Sequence, residues 1–324
     1  MKFATIVGTG SYVPQLIVTN EAMAELVDTS DEWIVSRTGI KERRISTGEN
    51  TSDLAFEASK SALLKAGLQA SDLDLIICAT ISPDSFMPSV ACIIQERLGA
   101  MNAAAFDLAA ACTGLVYGMS VATAFIESGR YTNILVVGAE TLSKTLDWSD
   151  RSTCVLFGDG AGAVVLTASD QKGISAVHLA SDGRKKEYLT LPAVALSNPF
   201  MKGESKALQP IISMQGQEVF KFAVRSITEL IRKVLDSSNL NQEDIKYIVA
   251  HQANSRILEH AAKLLGVPFD KFYVNLERYG NTSAATIGIA LDEIFTSELL
   301  QKGDNVILVG FGGGMTSGAI LFQV

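Results

Sequence analysis

GLQASDLDLIICAT at residues 67–80 and NLNQEDIKYIVAHQ at residues 239–252 read as two copies of one unit. A single constant offset aligns Leu68 with Leu240, Asp72 with Asp244 and Ile76 with Ile248. Each copy ends in an apolar run, Leu75 to Ala79 and Tyr247 to Ala250, and each run follows an amphipathic stretch, Ser52 to Ala66 and Val219 to Leu235. Two more runs repeat the arrangement: Ile134 to Gly138 after Gly114 to Ser128, and Val306 to Gly310 after Thr286 to Leu300. The same offset aligns Gly138 with Gly310. Near-continuous β-branched runs predict strands buried on both faces, and the helical stretches between them predict a parallel α/β sheet. Two α/β halves of similar composition would look somewhat alike. A constant offset in helix–strand order favours duplication, with a site between the halves. The boundary is expected near Gln171-Lys172-Gly173, giving halves 1–172 and 173–324. From Gly183 to Pro210 the chain is rich in Lys, Pro, Asn and Ser and reads as a long excursion.

Composition limits the function. The 324 residues include 27 basic and 35 acidic side chains, a net charge of −8, and 48% are hydrophobic. That balance, with no long basic run, argues against nucleic-acid binding. Phe3 to Val7 is too short an apolar run for a signal peptide, and no stretch approaches the ~18 apolar residues that span a bilayer. A cytoplasmic protein without a membrane partner is expected. Cys78, Cys92, Cys112 and Cys154 lie far apart, without the spacing of a disulfide framework or a zinc site, so no metal is expected.

Cys112 stands apart from the other cysteines. The apolar run Ala105 to Leu108 passes through small residues to Cys112-Thr113-Gly114, where a helix begins. A helix N-terminus favours a thiolate, so the thiol pKa is expected to fall and Cys112 to act as a nucleophile. The competing reading is a buried inert cysteine, which fits Cys78, Cys92 and Cys154 better. Of three histidines, His178 lies on an alternating strand and His260 on a helix beside Glu259. His251 ends an apolar strand, where catalytic groups of α/β proteins gather. In Gly280-Asn281-Thr282-Ser283 the polar side chains are either helix caps or, for Asn281, an amide donor for the site. Phe311-Gly312-Gly313-Gly314 is either an ordinary turn or a source of N–H groups for an oxyanion. Neither this run nor Gly8-Thr9-Gly10 has the spacing of a phosphate-binding loop.

Taken together, AAACTG around Cys112, GDGAGA at 158–163, HQAN at 251–254, GNTSAA at 280–285 and FGGG at 311–314 resemble β-ketoacyl-acyl-carrier-protein synthase III, of the thiolase superfamily. DTSDEWIVSRTGI at 28–40 resembles its coenzyme A end. The resemblance covers essentially the whole chain. It implies a duplicated, thiolase-like αβαβα fold of five layers, a homodimer, and a Cys112–His251–Asn281 triad. The implied reaction joins an acyl-CoA primer to malonyl-acyl carrier protein (ACP) through an acyl-cysteine, giving β-ketoacyl-ACP, CoA and CO2. The backbone N–H groups of Cys112 and Gly313 would hold the oxyanion, and His251 and Asn281 would donate to the malonyl thioester.

The resemblance also implies the surrounding contacts. Trp33, Arg37 and Arg151 fall at the adenine and phosphate end of CoA, and Gly216, Phe220, Ala253 and Asn254 on the pantetheine path. CoA thioester enters as substrate, with no resident cofactor. Carrier protein would dock on Lys221, Arg225, Arg256 and Lys263 and on the Gln252-Ala253-Asn254-Ser255 segment. Acyl-pocket walls fall on Leu142, Phe157, Leu189 and Phe311. Met87, reached across the dimer interface, stands where relatives carry an aromatic floor. Met315 and a long excursion from Ala193 to Pro210 are further departures, which bear on primer identity. Competing readings are a condensing or acyl-transfer enzyme of secondary metabolism with another acceptor, a Cys-His-Asn thioester hydrolase, and a non-catalytic thiolase-like carrier or scaffold.

Overall fold

The apolar run Leu75–Ala79 becomes a strand with all five residues buried. It pairs in parallel with Asn133–Glu140 on one side and Ala104–Leu108 on the other. The structure is a computed structural model, describing residues 2–201 and 209–324. Two more strands complete the first sheet, in the order Phe3–Tyr12, Gly160–Ser169, Asn133–Glu140, Leu75–Ala79, Ala104–Leu108. The second sheet runs Ile245–Ala250, Asn305–Gly312, Thr316–Gln323, Ile174–Ser181.

Both sheets are mixed, whereas the sequence predicted parallel pairing. Gly160–Ser169 and Thr316–Gln323 each run antiparallel to both neighbours. For Thr316–Gln323 the reason is the short turn Gly313–Met315, which leaves no length for the crossover that parallel strands need. The repeat is otherwise kept closely. The offset that aligns Gly138 with Gly310 also carries strand Asn133–Glu140 onto Asn305–Gly312, end to end. It likewise carries the turn Ala111–Thr113 onto Ser283–Ala285, and the start of helix Gly114–Glu127 onto that of Thr286–Thr296.

Those two helices form the middle layer. A helix that is apolar on all sides must be buried. Leu115 and Met119 of one and Ile287 and Leu291 of the other share a core with Ile77 and Val136 of the first sheet and Val306 and Leu308 of the second. The outer helices are amphipathic. Thr51–Ala66 packs Leu54, Ala58 and Ala62 on the first sheet. Gly216–Ser238 and Ser255–Leu265 pack Ile227, Ile231 and Leu258 on the second. The layers are therefore helix, sheet, helix, sheet, helix, the fold expected.

Glycine sets how closely the layers approach. A Cβ on Gly162 would lie 2.5 Å from the Gly288 Cα, so the central helix and the first sheet touch backbone to backbone. Gly8 and Gly10 serve the same end, since a Cβ on either would fall within 2.3 Å of a carbonyl of helix Thr51–Ala66.

Among the described residues no helix is long and apolar enough to cross a membrane. The excursion holds a 3-10 turn at Gly183–Tyr188 and a two-residue strand, Leu189–Thr190, paired with Ser213–Met214. Val194, Leu196 and Phe200 are exposed. Residues 202–208 of the excursion lie outside the described residues.

Candidate active site

The first sheet delivers Cys112 at a strained corner. After Ala104–Leu108 the chain enters the turn Ala111–Thr113 with Ala111 at φ +47°, then the central helix from Gly114. Left-handed backbone in a non-glycine residue costs about 1–3 kcal/mol and persists where the surroundings enforce it. Here the surroundings are two further segments. The turn Ser283–Ala285, with Ser283 at φ +49°, packs beneath, where a Cβ on Gly114 would meet the Ala284 Cβ at 3.3 Å. The glycine run packs from the second sheet, and a Cβ on Gly312 would sit 2.8 Å from the Cys112 nitrogen. A Cβ on Gly313 would lie 3.4 Å from that of Ala111.

His251 follows the strand Ile245–Ala250 and is held by its own N–H, which donates to the Val309 carbonyl at 2.8 Å. The imidazole packs edge-on to Phe311, with ring centres 4.9 Å apart. Its Nδ1 pairs with Thr286 Oγ1 at 2.7 Å. Asn281 is fixed through its backbone: its N–H donates to Leu156 and its carbonyl accepts from Gly158. Its Oδ1 accepts from the Ser283 N–H at 2.9 Å. His251 Nε2 and Asn281 Nδ2 have no hydrogen-bond partner among the described residues. His251 and Asn281 are buried, as is Cys112.

Burial overturns one sequence expectation. The Cys112 thiol is pushed up to about 12, not down, because removal from water opposes the thiolate more than the Ser283 hydroxyl and local N–H favour it. Burial alone takes His251 down to about 3. The resting pair is a neutral thiol and a neutral imidazole. Glu140, at the end of strand Asn133–Glu140, is pushed up to about 7 by burial, against hydrogen bonds from Thr80, Ile81 and Ser82. The buried Ser283 hydroxyl lies between the Cys112 thiol and the Glu140 carboxylate without an aligned hydrogen bond. Alkylation of Cys112 by iodoacetamide is therefore expected to rise about tenfold per pH unit from pH 6 to 9, as thiolate populates. A rate already level at pH 7 would contradict this.

Other expected residues meet the fold unevenly. Trp33 carries guanidinium groups at 4.9 Å from Arg37 and 5.2 Å from Arg151, a flat platform flanked by positive charge. Asn254 ties this end to the site: its amide donates to the Arg37 carbonyl and its Oδ1 caps the helix at Arg256. Gln252 is buried and holds the loop through the Ala250 and Tyr273 carbonyls. Ala253 and Ser255 are half-buried beside it. Gly216 is exposed, and Phe220 packs edge-on to His260. Lys221, Arg225, Arg256 and Lys263 are exposed on two packed helices. Lys221 and Arg225 pair with Glu218 and Glu229, which weakens their share of a basic patch.

Leu142, Phe157 and Leu189 gather in one apolar cluster with Ile212 and Trp148, two residues the sequence reading did not single out. Phe311 is not in that cluster; it packs beneath His251. Met87 is not in it either. It is 88% exposed, beside Phe86, because its loop precedes the open edge of the first sheet. Cys92, expected to be buried, is exposed at that same edge, 3.8 Å from the Ala105 carbonyl.

Residues 106–183 match the 3-oxoacyl-[acyl-carrier-protein (ACP)] synthase III family, and residues 235–324 match its C-terminal counterpart. The beta-ketoacyl-[acyl-carrier-protein] synthase III of Clostridium acetobutylicum is 55% identical over 100% of this chain and 99% of its own. That of Clostridium beijerinckii is 55% identical over 100% of both. The chain belongs to the synthase III family. The crystal structure of the Aquifex aeolicus synthase III overlays with a TM-score of 0.93, at 44% identity over 99% of this chain and 100% of that one. The chain is accordingly an acyl-transferring condensing enzyme. Cys112 lies inside the first matched segment and His251 and Asn281 inside the second. Thr286, Ser283 and Glu140 were missed from sequence. The signal for Ser283 was available in the repeat, which sets it in register with Ala111, at the matching strained turn.

Proposed function

We propose that Cys112 carries the acyl group while His251 and Asn281 stabilise the second substrate's enolate. The observation that carries this reading is the meeting of three segments at one thiol, with His251 Nε2 and Asn281 Nδ2 unengaged. The enzyme initiates type II fatty acid synthesis, condensing an acyl-CoA with malonyl-ACP. In the first half-reaction the Cys112 sulfur attacks the acyl-CoA carbonyl, and the N–H groups of Cys112 and Gly313 receive the oxyanion. The C–S bond to CoA breaks, and the departing thiolate takes, in net, the cysteine proton. In the second, malonyl-ACP loses CO2, and the electron pair of the broken C–C bond forms an enolate. His251 and Asn281 donate to its oxygen. The enolate carbon attacks the acyl-cysteine, the sulfur leaves, and β-ketoacyl-ACP forms. CoA thioester is substrate here, and the chemistry calls for no resident cofactor or metal.

The two halves, 1–172 and 173–324, then divide the work, one bringing the nucleophile and the other the donors. Trp33, Arg37 and Arg151 suit the adenine and phosphates of CoA. Arg256 and Lys263, which have no ion pair among the described residues, lead the surface for acidic carrier protein. A homodimer fits the open edge of strand Ala104–Leu108, where Phe86, Met87, Met101 and Phe106 are exposed. Pairing there would bring Met87 toward the partner's acyl pocket. Sedimentation should show twice the 34.6 kDa chain mass, and a monomer at micromolar concentration would remove that role. The reading is of a cytoplasmic enzyme.

The test is a panel of acyl-CoAs with malonyl-ACP, measuring β-ketoacyl-ACP and free CoA. Condensation should require malonyl-ACP, and KM for the carrier protein should rise with salt. Release of free acid without malonyl-ACP would establish a thioester hydrolase instead.

A further inference from the structure

A neutral histidine is a donor at one ring nitrogen and an acceptor at the other, and the partner of one nitrogen decides the role of the other. His251 has one such partner, Thr286 Oγ1 at 2.7 Å from Nδ1. Thr286 has one hydroxyl proton and two acceptors within reach, Nδ1 and the Ser283 carbonyl at 3.1 Å. The carbonyl already accepts the backbone N–H of Thr286. The imidazole contact is the shorter of the two. Both Thr286 and His251 are almost wholly buried.

Asn281 is held by the same logic. Its acceptor atom, Oδ1, is taken by the Ser283 N–H, which leaves the Nδ2 donors unengaged. The segment 281–286 thus contacts one end of each side chain. Phe311, packed against the imidazole, restricts the ring from turning over.

We propose that Thr286 is a positioning residue that donates its hydroxyl proton to His251 Nδ1, fixing the tautomer with hydrogen on Nε2. This rests on the condensing role above, because a donor at Nε2 is what the enolate oxygen needs. Two N–H groups, Nε2 of His251 and Nδ2 of Asn281, are then set before substrate arrives. Burial keeps the ring neutral, so the donor role comes from the tautomer and not from protonation. No proton is gained or lost in this arrangement.

The experiment is nitrogen NMR of enzyme labelled with ¹⁵N-histidine. The chain has three histidines, and His251→Asn assigns the signal of interest. Wild-type enzyme should show an unprotonated Nδ1 and a protonated Nε2 at neutral pH. Thr286→Val keeps the shape and removes the hydroxyl; its His251 should shift toward the Nδ1–H form. Its decarboxylation of malonyl-ACP should fall on the order of 10²-fold, the loss of one aligned donor, with KM for malonyl-ACP little changed. Acylation of Cys112 by acyl-CoA should change less. Thr286→Ser should restore both the spectrum and the rate. A wild-type Nδ1–H tautomer would overturn the proposal, and so would an unchanged spectrum and rate in Thr286→Val. The wild-type spectrum stands even if Thr286→Val does not fold. Because the tautomer is read without turnover, an Nε2–H spectrum in an enzyme that does not condense would refute the proposed function and leave this assignment intact.

Discussion

Cys112→Ser is expected to form no acyl-enzyme from acyl-CoA, and its condensation rate should fall on the order of 10⁴-fold or more, the scale seen when a covalent nucleophile is removed. Sulfur to oxygen is the smallest change available at that corner. Ala111 at φ +47° and Gly312 packed on the Cys112 nitrogen hold the backbone of that corner, and serine leaves both features in place. The fold should therefore survive, which near-UV circular dichroism would show. Burial already holds the thiol near 12, so the enzyme works by positioning the sulfur and receiving the oxyanion. An alcohol is harder still to ionise and a weaker nucleophile in the same place. Stopped-flow release of CoA from acyl-CoA checks this. A burst of CoA equal to enzyme in Cys112→Ser would remove Cys112 from the nucleophile's role.

His251→Ala and Asn281→Ala should separate the half-reactions. Each should lose decarboxylation of malonyl-ACP by about 10²-fold or more, the effect of removing one preorganised donor. Acylation of Cys112 should remain measurable in both, because neither side chain is asked to carry charge in that step. The effects of the two substitutions should not add fully, since both donors serve one oxygen. His251→Ala also opens space over Phe311, so Asn281→Ala is the cleaner comparison. The measurement is single-turnover acylation by mass spectrometry beside ¹⁴CO2 release. Equal loss of both half-reactions in His251→Ala would make His251 the base for the Cys112 thiol.

The sequence showed much of this because the repeat is long-range and regular. Strand Asn133–Glu140 and its counterpart Asn305–Gly312 were legible as apolar runs ending in glycine. Cys112 was legible at the strand-to-helix corner after Ala105 to Leu108, His251 at the end of Tyr247 to Ala250, and Asn281 because its motif sat in order with the others. What was hidden depends on contacts that only folding makes. Ser283 read as a helix cap and Thr286 as the start of a helical stretch, since nothing local says that Thr286 reaches His251. The direction of the Cys112 shift was missed for the same reason: a helix start is visible in sequence, but the glycine run that buries it comes from the second sheet. Phe311 was assigned to the pocket by its place in the motif, whereas the alternation of its strand turns it under the imidazole. Met87 lies on an open edge in a single chain. The antiparallel strands were missed because here they too are buried along most of their length, and so lack the alternation that marks an antiparallel sheet with one face in water.

The most direct test is the intact mass of the enzyme after acetyl-CoA alone, then after malonyl-ACP, with peptide mapping at each stage. One acetyl group should appear on Cys112 in the absence of malonyl-ACP. It should vanish when malonyl-ACP is added, as acetoacetyl-ACP and CO2 appear. Acetylation of Cys78, Cys92 or Cys154, or a Cys112 adduct that leaves as free acetate, would contradict the account.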